Sequence, residues 1–213
     1  MIPSNDASRQ TLLSAFQDKL SLSFLDMKLL DAALTHRSFI NEKAGDEGLT
    51  HNERLEFLGD AVLGQVVASL LYERLKGRPE GELARIKSIV VSEHTLAPIA
   101  ASIGIPEALR MGRGEENSGG RNKKAILADA LEALFGAVFV DRGYEAVQRF
   151  IEGVMTPSID ETIRGQSKDY KTMIQEYAQK YLKEMPAYEL DRAEGPDHAR
   201  IFYVSCRIAK HHY

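Results

Sequence analysis

The chain has 213 residues, of which 44% are hydrophobic and 27% are charged, so wholesale disorder is excluded and a packed core is expected. Its net charge is −4, and the acidic excess lies in residues 1–160, so neither part of the chain is a basic nucleic-acid-binding arm. Any contact with nucleic acid must therefore depend on local clusters of basic side chains or on bound metal cations.

The chain carries no evident targeting or membrane segment. Its first ten residues include Asp6 and Arg9 and contain no apolar run. The longest uncharged apolar stretch, residues 61–72, is shorter than the roughly 18 residues that a membrane-spanning helix needs. A single cysteine, Cys206, excludes an internal disulfide and fits a reducing compartment. We therefore expect a cytoplasmic protein with no membrane contact.

Residues 10 to about 157 predict a succession of helices, because apolar residues recur three and four positions apart. Leu13, Phe16 and Leu20 are the first of these residues, and no alternating strand pattern of useful length interrupts the series. Turn-forming segments separate the predicted helices, at residues 45–48, 77–81, 111–121 and 141–143. We expect an all-α domain that spans residues 1–160.

The pattern changes after this domain. Residues 161–168 are polar, lack apolar periodicity and are predicted to be a linker. Residues 169–183 predict a helix, and residues 187–194 and 201–208 predict two strands separated by a turn. Residues 169–213 are therefore expected to form part of a smaller α+β domain.

Two acidic pairs lie within otherwise apolar predicted helices. Between residues 55 and 72 the only charged side chains are Glu56 and Asp60, which share one helical face. Between residues 125 and 140 the only charged side chains are Asp129 and Glu132, three positions apart. Burying an unpaired carboxylate costs on the order of several kcal/mol.

A hard divalent cation resolves this cost if the two helices pack together. Mg²⁺ prefers carboxylate and water oxygens, and its natural chemistry at such a site is phosphodiester hydrolysis. The alternative is that these acids are exposed to solvent or form ion pairs with basic side chains elsewhere. That alternative explains a single acid more readily than it explains two pairs. Other metal chemistry is limited, because the sequence has no Glu-x-x-His, no His-Glu-x-x-His and no cysteine cluster, and it has no P-loop.

Residues 52–63, NERLEFLGDAVL, resemble the signature of the ribonuclease III family. Three further segments resemble the family in the same order: LTHRS at 34–38, residues 112–120 ending in Ser-Gly-Gly, and ILADALEAL at 126–134. The resemblance covers residues 10–160 as a helical nuclease domain. From residue 169 onward the chain is similar to the start of a double-stranded-RNA-binding domain.

This resemblance implies that Glu56, Asp60, Asp129 and Glu132 hold a catalytic Mg²⁺, for which Mn²⁺ can substitute, with Asp60 and Glu132 as the catalytic pair. It implies a homodimer whose two sites cut opposite strands of double-stranded RNA and leave 5′-phosphate and 3′-hydroxyl ends. Processing of ribosomal-RNA precursors and some messenger RNAs follows from the same resemblance. No small-molecule cofactor is expected.

Further residues are assigned, some by the same resemblance and others by their place in the sequence. Glu53 and Glu80 match outer acidic positions that assist cleavage, and Phe57 resembles the dimer-interface aromatic, although core packing explains Phe57 equally well. His36 and Arg37 are expected to make polar contacts at a helix end. The expected RNA-binding residues, for which a solvated surface role is the alternative, are Ser118, Arg121, Lys123, Lys124 and His198.

The second domain departs from the family pattern of helix, three strands and helix. Residues 169–213 supply the first helix and two strands, and the third strand and last helix are expected to be absent. We therefore expect weakened RNA binding with cleavage retained. Two other functions stay open: a non-catalytic scaffold that binds double-stranded RNA, and an all-α nucleotide pyrophosphohydrolase, which also places acidic pairs around Mg²⁺.

Overall fold

The structure, a computed structural model, describes residues 5–42, 50–166, 174–175, 177–194, 201–208 and 211–212. The chain divides into two compact units, Met1–Thr162 and Ile163–Tyr213. The first unit is helical, as the sequence predicts, and the second contains a small antiparallel sheet.

Helices make up the whole of the first unit's regular structure within the described ranges. A short 3₁₀ turn, Gly120–Asn122, precedes the ninth helix. The last helix continues to Gln166, so the predicted linker at 161–168 is helical through that residue. The α-helices are α1 Asn5–Lys19, α2 Met27–Ala33, α3 Arg37–Glu42, α4 Glu53–Arg74, α5 Glu80–Val90, α6 Glu93–Ile103, α7 Ile105–Ala108, α8 Arg113–Asn117, α9 Lys124–Arg142 and α10 Tyr144–Gln166.

Helix α9 forms the centre of the core. Its residues Ala130, Leu131 and Leu134 are fully buried, and Phe135 packs edge-on against Phe150 of α10 with 5.6 Å between the ring centroids. Helices α4, α6 and α2 pack around α9. An apolar helix enclosed on several sides buries most of its surface, which is why residues 125–140 are uncharged apart from Asp129 and Glu132.

Helices α4 and α9 approach each other through two glycines. A Cβ atom on Gly59 would lie 1.8 Å from the Glu132 carbonyl oxygen, and a Cβ atom on Gly136 would lie 2.1 Å from the Leu55 carbonyl oxygen. Real Cβ atoms do not come this close to backbone, so any side chain at either position would push the helices apart. The crossing brings the first turn of α4 against the middle of α9.

Helix α4 is also long and apolar enough to cross a membrane, judged by length and composition alone. Val62, Leu63, Val66 and Val67 on its inner face are buried in the first unit. One third of the apolar window of α4 is buried in the first unit, and a single helix of this kind is weak evidence of a membrane span.

An ion-pair network fixes the connection between α2 and α3. The Asp31 carboxylate accepts hydrogen bonds from Arg9 Nε at 2.8 Å and from Arg110 Nη2 at 2.7 Å. Thr35 forms a parallel bridge with Arg110, and its carbonyl accepts the Asn52 N–H at 3.0 Å. These contacts tie the start of α3 to the start of α4.

The second unit contains the π-helical segment Ala178–Leu182 and an antiparallel sheet in the order β1 Ala187–Glu194, β2 Ile201–Ile208 and β3 His211–His212. Strands β1 and β2 are the two predicted strands. The third strand was expected to be absent, and the structure instead has the two-residue strand β3, which pairs with β2. Ala178, Cys206 and Ile208 form the small core of the unit, and the turn that contains His198 lies outside the described residues.

The glycine crossing yields a prediction about stability. Gly59→Ala should lower the free energy of unfolding by roughly 3 kcal/mol, at the upper end of typical overpacking costs, because its methyl group meets backbone rather than a movable side chain. Gly64→Ala, on the same helix, meets only the end of Lys87 at 3.9 Å and should be neutral or stabilising by up to about 1 kcal/mol. Urea unfolding of both variants checks this, and equal stabilities would contradict it.

Candidate active site

Three carboxylates converge where α4 and α9 cross. Oxygen atoms of Glu56, Asp129 and Glu132 all lie within 4.8 Å of one another. Glu56 stands on the first turn of α4, and the other two residues are on α9. All three side chains are partly buried. Three of the four predicted acids therefore meet across the helix crossing.

Asp60 adjoins this cluster but is not one of its three members. It stands one turn beyond Glu56 on α4 and is exposed. Its negative charge nevertheless contributes to raising the pKa of Glu132. Among the residues that the structure describes, no Lys, Arg or His forms an ion pair with any of these four acids.

The pKa values of these carboxylates follow from burial and from the lack of an ion-pair partner among the described residues. Burial, together with the charges of Asp60, Asp129 and Glu56, raises the pKa of Glu132 to about 8. Burial is also the main cause that raises the pKa of Glu56 and of Asp129. At neutral pH the cluster by itself therefore holds a proton. Three oxygen donors with unbalanced negative charge form a ligand set that suits a hard divalent cation.

The outer acids are placed differently. The Glu53 carboxylate accepts a hydrogen bond from Arg37 Nη1 at 3.0 Å and lies 3.8 Å from His51 Nδ1. Glu80 begins α5 and lines a groove of about 740 Å³ with Tyr72 and the second half of α4. Neither residue belongs to the three-carboxylate cluster.

The segment before α9 is held together by its own side chains. The Arg121 guanidinium donates to the carbonyls of Pro106 and Leu109 and pairs with Glu116. Lys123 Nζ donates to Glu115 at 2.6 Å and to Ser118 Oγ at 3.0 Å.

These contacts engage three of the expected RNA-binding residues within the protein. The Arg121 guanidinium donates to two backbone carbonyls and to a carboxylate, so it anchors the segment. Lys123 and Ser118 are likewise engaged with Glu115. Lys124 is exposed at the start of α9, and His198 lies outside the described residues.

Comparison with known proteins agrees with this geometry. The family model described as Ribonuclease-III-like matches residues 26–159, and the double-stranded RNA binding motif matches residues 170–213. The chain is 48% identical to Ribonuclease 3 of Treponema denticola, over 95% of this chain and 82% of the relative. It is 43% identical to Ribonuclease 3 of Borreliella burgdorferi, with the same two coverages.

The chain belongs to the ribonuclease III family. It is an endoribonuclease of that family and acts on double-stranded RNA. The nuclease domain of ribonuclease III from Campylobacter jejuni is similar in structure, with a TM-score of 0.60 and 39% sequence identity. That similarity covers 66% of this chain and 96% of the Campylobacter domain.

Within this ribonuclease III fold, the LTHRS segment borders the carboxylates. His36 Nδ1 lies 2.8 Å from Ser38 Oγ, and Arg37 bonds to Glu53, so both make the helix-end polar contacts expected of them. Burial lowers the pKa of His36, and the charges of both His36 and Arg37 act on Asp129. The segment was not among the predicted site residues, although its place among the family motifs was a usable signal.

The raised pKa of Glu132 predicts how stability depends on pH without metal. The folded state holds a proton on Glu132 that the unfolded chain releases above its ordinary value of 4.5, so stability should fall as pH rises from 4.5 toward about 8. Glutamine has no carboxyl proton to release, so the stability of Glu132→Gln should decline less steeply with pH. Thermal unfolding in EDTA across this range tests it, with the exposed Glu145→Gln on α10 as the control that should follow the wild type. Parallel curves for wild type and Glu132→Gln would contradict the assignment.

Proposed function

We propose that the carboxylate cluster binds Mg²⁺, or Mn²⁺ in its place, and hydrolyses phosphodiester bonds of double-stranded RNA to leave 5′-phosphate and 3′-hydroxyl ends. The observation that carries the proposal is the convergence of Glu56, Asp129 and Glu132 within 4.8 Å, with no ion pair to them among the described residues. A site of this composition has the charge and the oxygen donors for a hard cation.

Four acidic residues have roles in this proposal. Glu56, Asp60, Asp129 and Glu132 would hold the metal ion, with Asp60 and Glu132 as the catalytic pair. The bound ion supplies orientation of a water molecule and stabilisation of charge on the phosphoryl oxygens. In the hydrolysis, the water oxygen forms the new bond to phosphorus, the bond from phosphorus to the 3′ oxygen breaks, and a proton passes to that 3′ oxygen.

The domain organisation supports a division between cutting and holding RNA. In this proposal residues 1–160 form the nuclease, residues 161–168 connect the domains, and residues 169–213 bind the RNA duplex. The match of residues 170–213 to the double-stranded RNA binding motif supports this division. As the sequence resemblance implies, we extend the proposal to a cytoplasmic enzyme that processes ribosomal-RNA precursors and some messenger RNAs.

The outer face of α4 supports a homodimer. Phe57 is 81% exposed and Tyr72 is 75% exposed, and exposed Ala61, Gln65 and Ala68 lie between them along the same face. Two uncovered aromatic side chains on one exposed helix face support an interaction surface. The solved Campylobacter nuclease domain is itself described as having a region involved in dimer formation. A second copy of this chain is the proposed occupant.

The dimer proposal predicts that Phe57→Asp is monomeric, because an interface that buries an ionised carboxylate loses its main apolar anchor. Leu25→Asp is a matched control, since Leu25 is 75% exposed on a different part of the unit. Light scattering after size-exclusion chromatography measures both masses. A dimeric Phe57→Asp, or a monomeric wild type, would refute the proposal.

One assay tests the proposed activity against its alternatives. The wild type is incubated with duplex RNA, single-stranded RNA and nucleoside triphosphates, each with Mg²⁺ or with EDTA. Only duplex RNA should be cut, and only when Mg²⁺ is present. Duplex binding without cutting would support a scaffold, and hydrolysis of the triphosphates would support a pyrophosphohydrolase.

The same assay tests the role of the carboxylate cluster. Glu132→Gln should cut duplex RNA slower than the wild type by orders of magnitude while it binds the duplex normally, because only metal binding is disturbed. Glu145→Gln again serves as the control. Wild-type cleavage by Glu132→Gln would overturn the role of this residue.

A further inference from the structure

Arg37 stands at the edge of the carboxylate cluster with most of its hydrogen-bonding capacity unused. Its side chain is 64% exposed, and its Nη1 donates to Glu53 at 3.0 Å. Within the described part of the chain, this is the side chain's one hydrogen bond. A guanidinium has five N–H donors, so several remain available to a ligand.

The position of Arg37 is fixed by its backbone. The preceding residue, His36, donates its N–H to the Arg110 carbonyl at 2.8 Å, and Thr35 accepts the N–H of Asn52 at 3.0 Å. Asn52 is buried and directly precedes α4, whose first turn carries Glu53 and Glu56. The backbone of Arg37 is therefore fixed relative to the first turn of α4.

Stability does not explain the pair between Arg37 and Glu53. Both side chains are about half exposed or more, and exposed ion pairs contribute only about 0–1 kcal/mol. The charge of Arg37 instead acts on the site, since it lowers the pKa of Glu56 and of Asp129 against the effect of burial.

An RNA strand entering this site brings phosphate groups toward four carboxylates. Repulsion must be offset by cations, and Arg121 and Lys123 are already engaged in the segment before α9. A guanidinium suits this task, because its planar fork matches two oxygens of one phosphate.

We propose that Arg37 binds a phosphate of the RNA strand next to the scissile one, and that Glu53 is a positioning residue that holds Arg37 at the mouth of the site. The inference rests on the proposed function above. It assigns Glu53 a role through Arg37, which agrees with its place outside the three-carboxylate cluster.

The test is binding of a fluorescent RNA duplex to the full chain in EDTA, followed by anisotropy at several salt concentrations. Arg37→Gln should weaken binding about tenfold at physiological salt and lower the slope of log affinity against log salt by about 1. Arg37→Lys should keep the slope and recover part of the affinity, because it keeps the charge and loses the fork. With Mg²⁺ present, the loss should appear mainly in KM.

Glu53→Gln should weaken binding less than Arg37→Gln, and it should add nothing in the Arg37→Gln background. Arg149→Gln is the control, since Arg149 is an exposed arginine on α10, which contributes none of the four acids. Wild-type affinity and salt slope in Arg37→Gln, or additive losses in the double variant, would overturn the inference. If the wild type itself does not cut duplex RNA, the proposed function fails instead, so the two failures are distinguishable.

Discussion

The close approach of α4 and α9 at Gly59 and Gly136 is the constraint on which the site depends. Backbone meets backbone at this crossing, with no space for a Cβ atom on either glycine. Helices separated by ordinary side chains lie about 8–10 Å apart, and the glycines allow a closer approach. Glu56 on one helix and Asp129 and Glu132 on the other are thereby brought within ligand distance of one cation.

The charges around this crossing are arranged unequally. Acids at the periphery have partners: Glu53 has Arg37, Glu115 has Lys123 and Glu116 has Arg121. The central acids have no ion-pair partner among the described residues, and burial keeps a proton on Glu132 near neutral pH. A site that is electrostatically unsatisfied by the protein alone is suited to exchange that proton for a metal ion.

The sequence predicted individual elements better than it predicted contacts. The helical first domain and two strands of the second unit followed from periodicity, whereas the third strand was expected to be absent and the structure has the two-residue β3. Arg121 and Lys123 looked like phosphate ligands because they are basic and lie beside a glycine-rich turn. Their engagement with carbonyls and carboxylates from other positions was not visible in the local sequence.

The sequence by itself determined which acids are unusual. Glu56, Asp60, Asp129 and Glu132 interrupt apolar helices, and local periodicity is sufficient to place each pair on one face. Only the tertiary structure decided how these acids combine: three converge, Asp60 adjoins them, Glu53 pairs with Arg37, and Glu80 stands apart at the start of α5. The physical reason is that side-chain convergence depends on the distance and angle at which two helices cross. Here a pair of glycines, rather than the acids themselves, sets that distance.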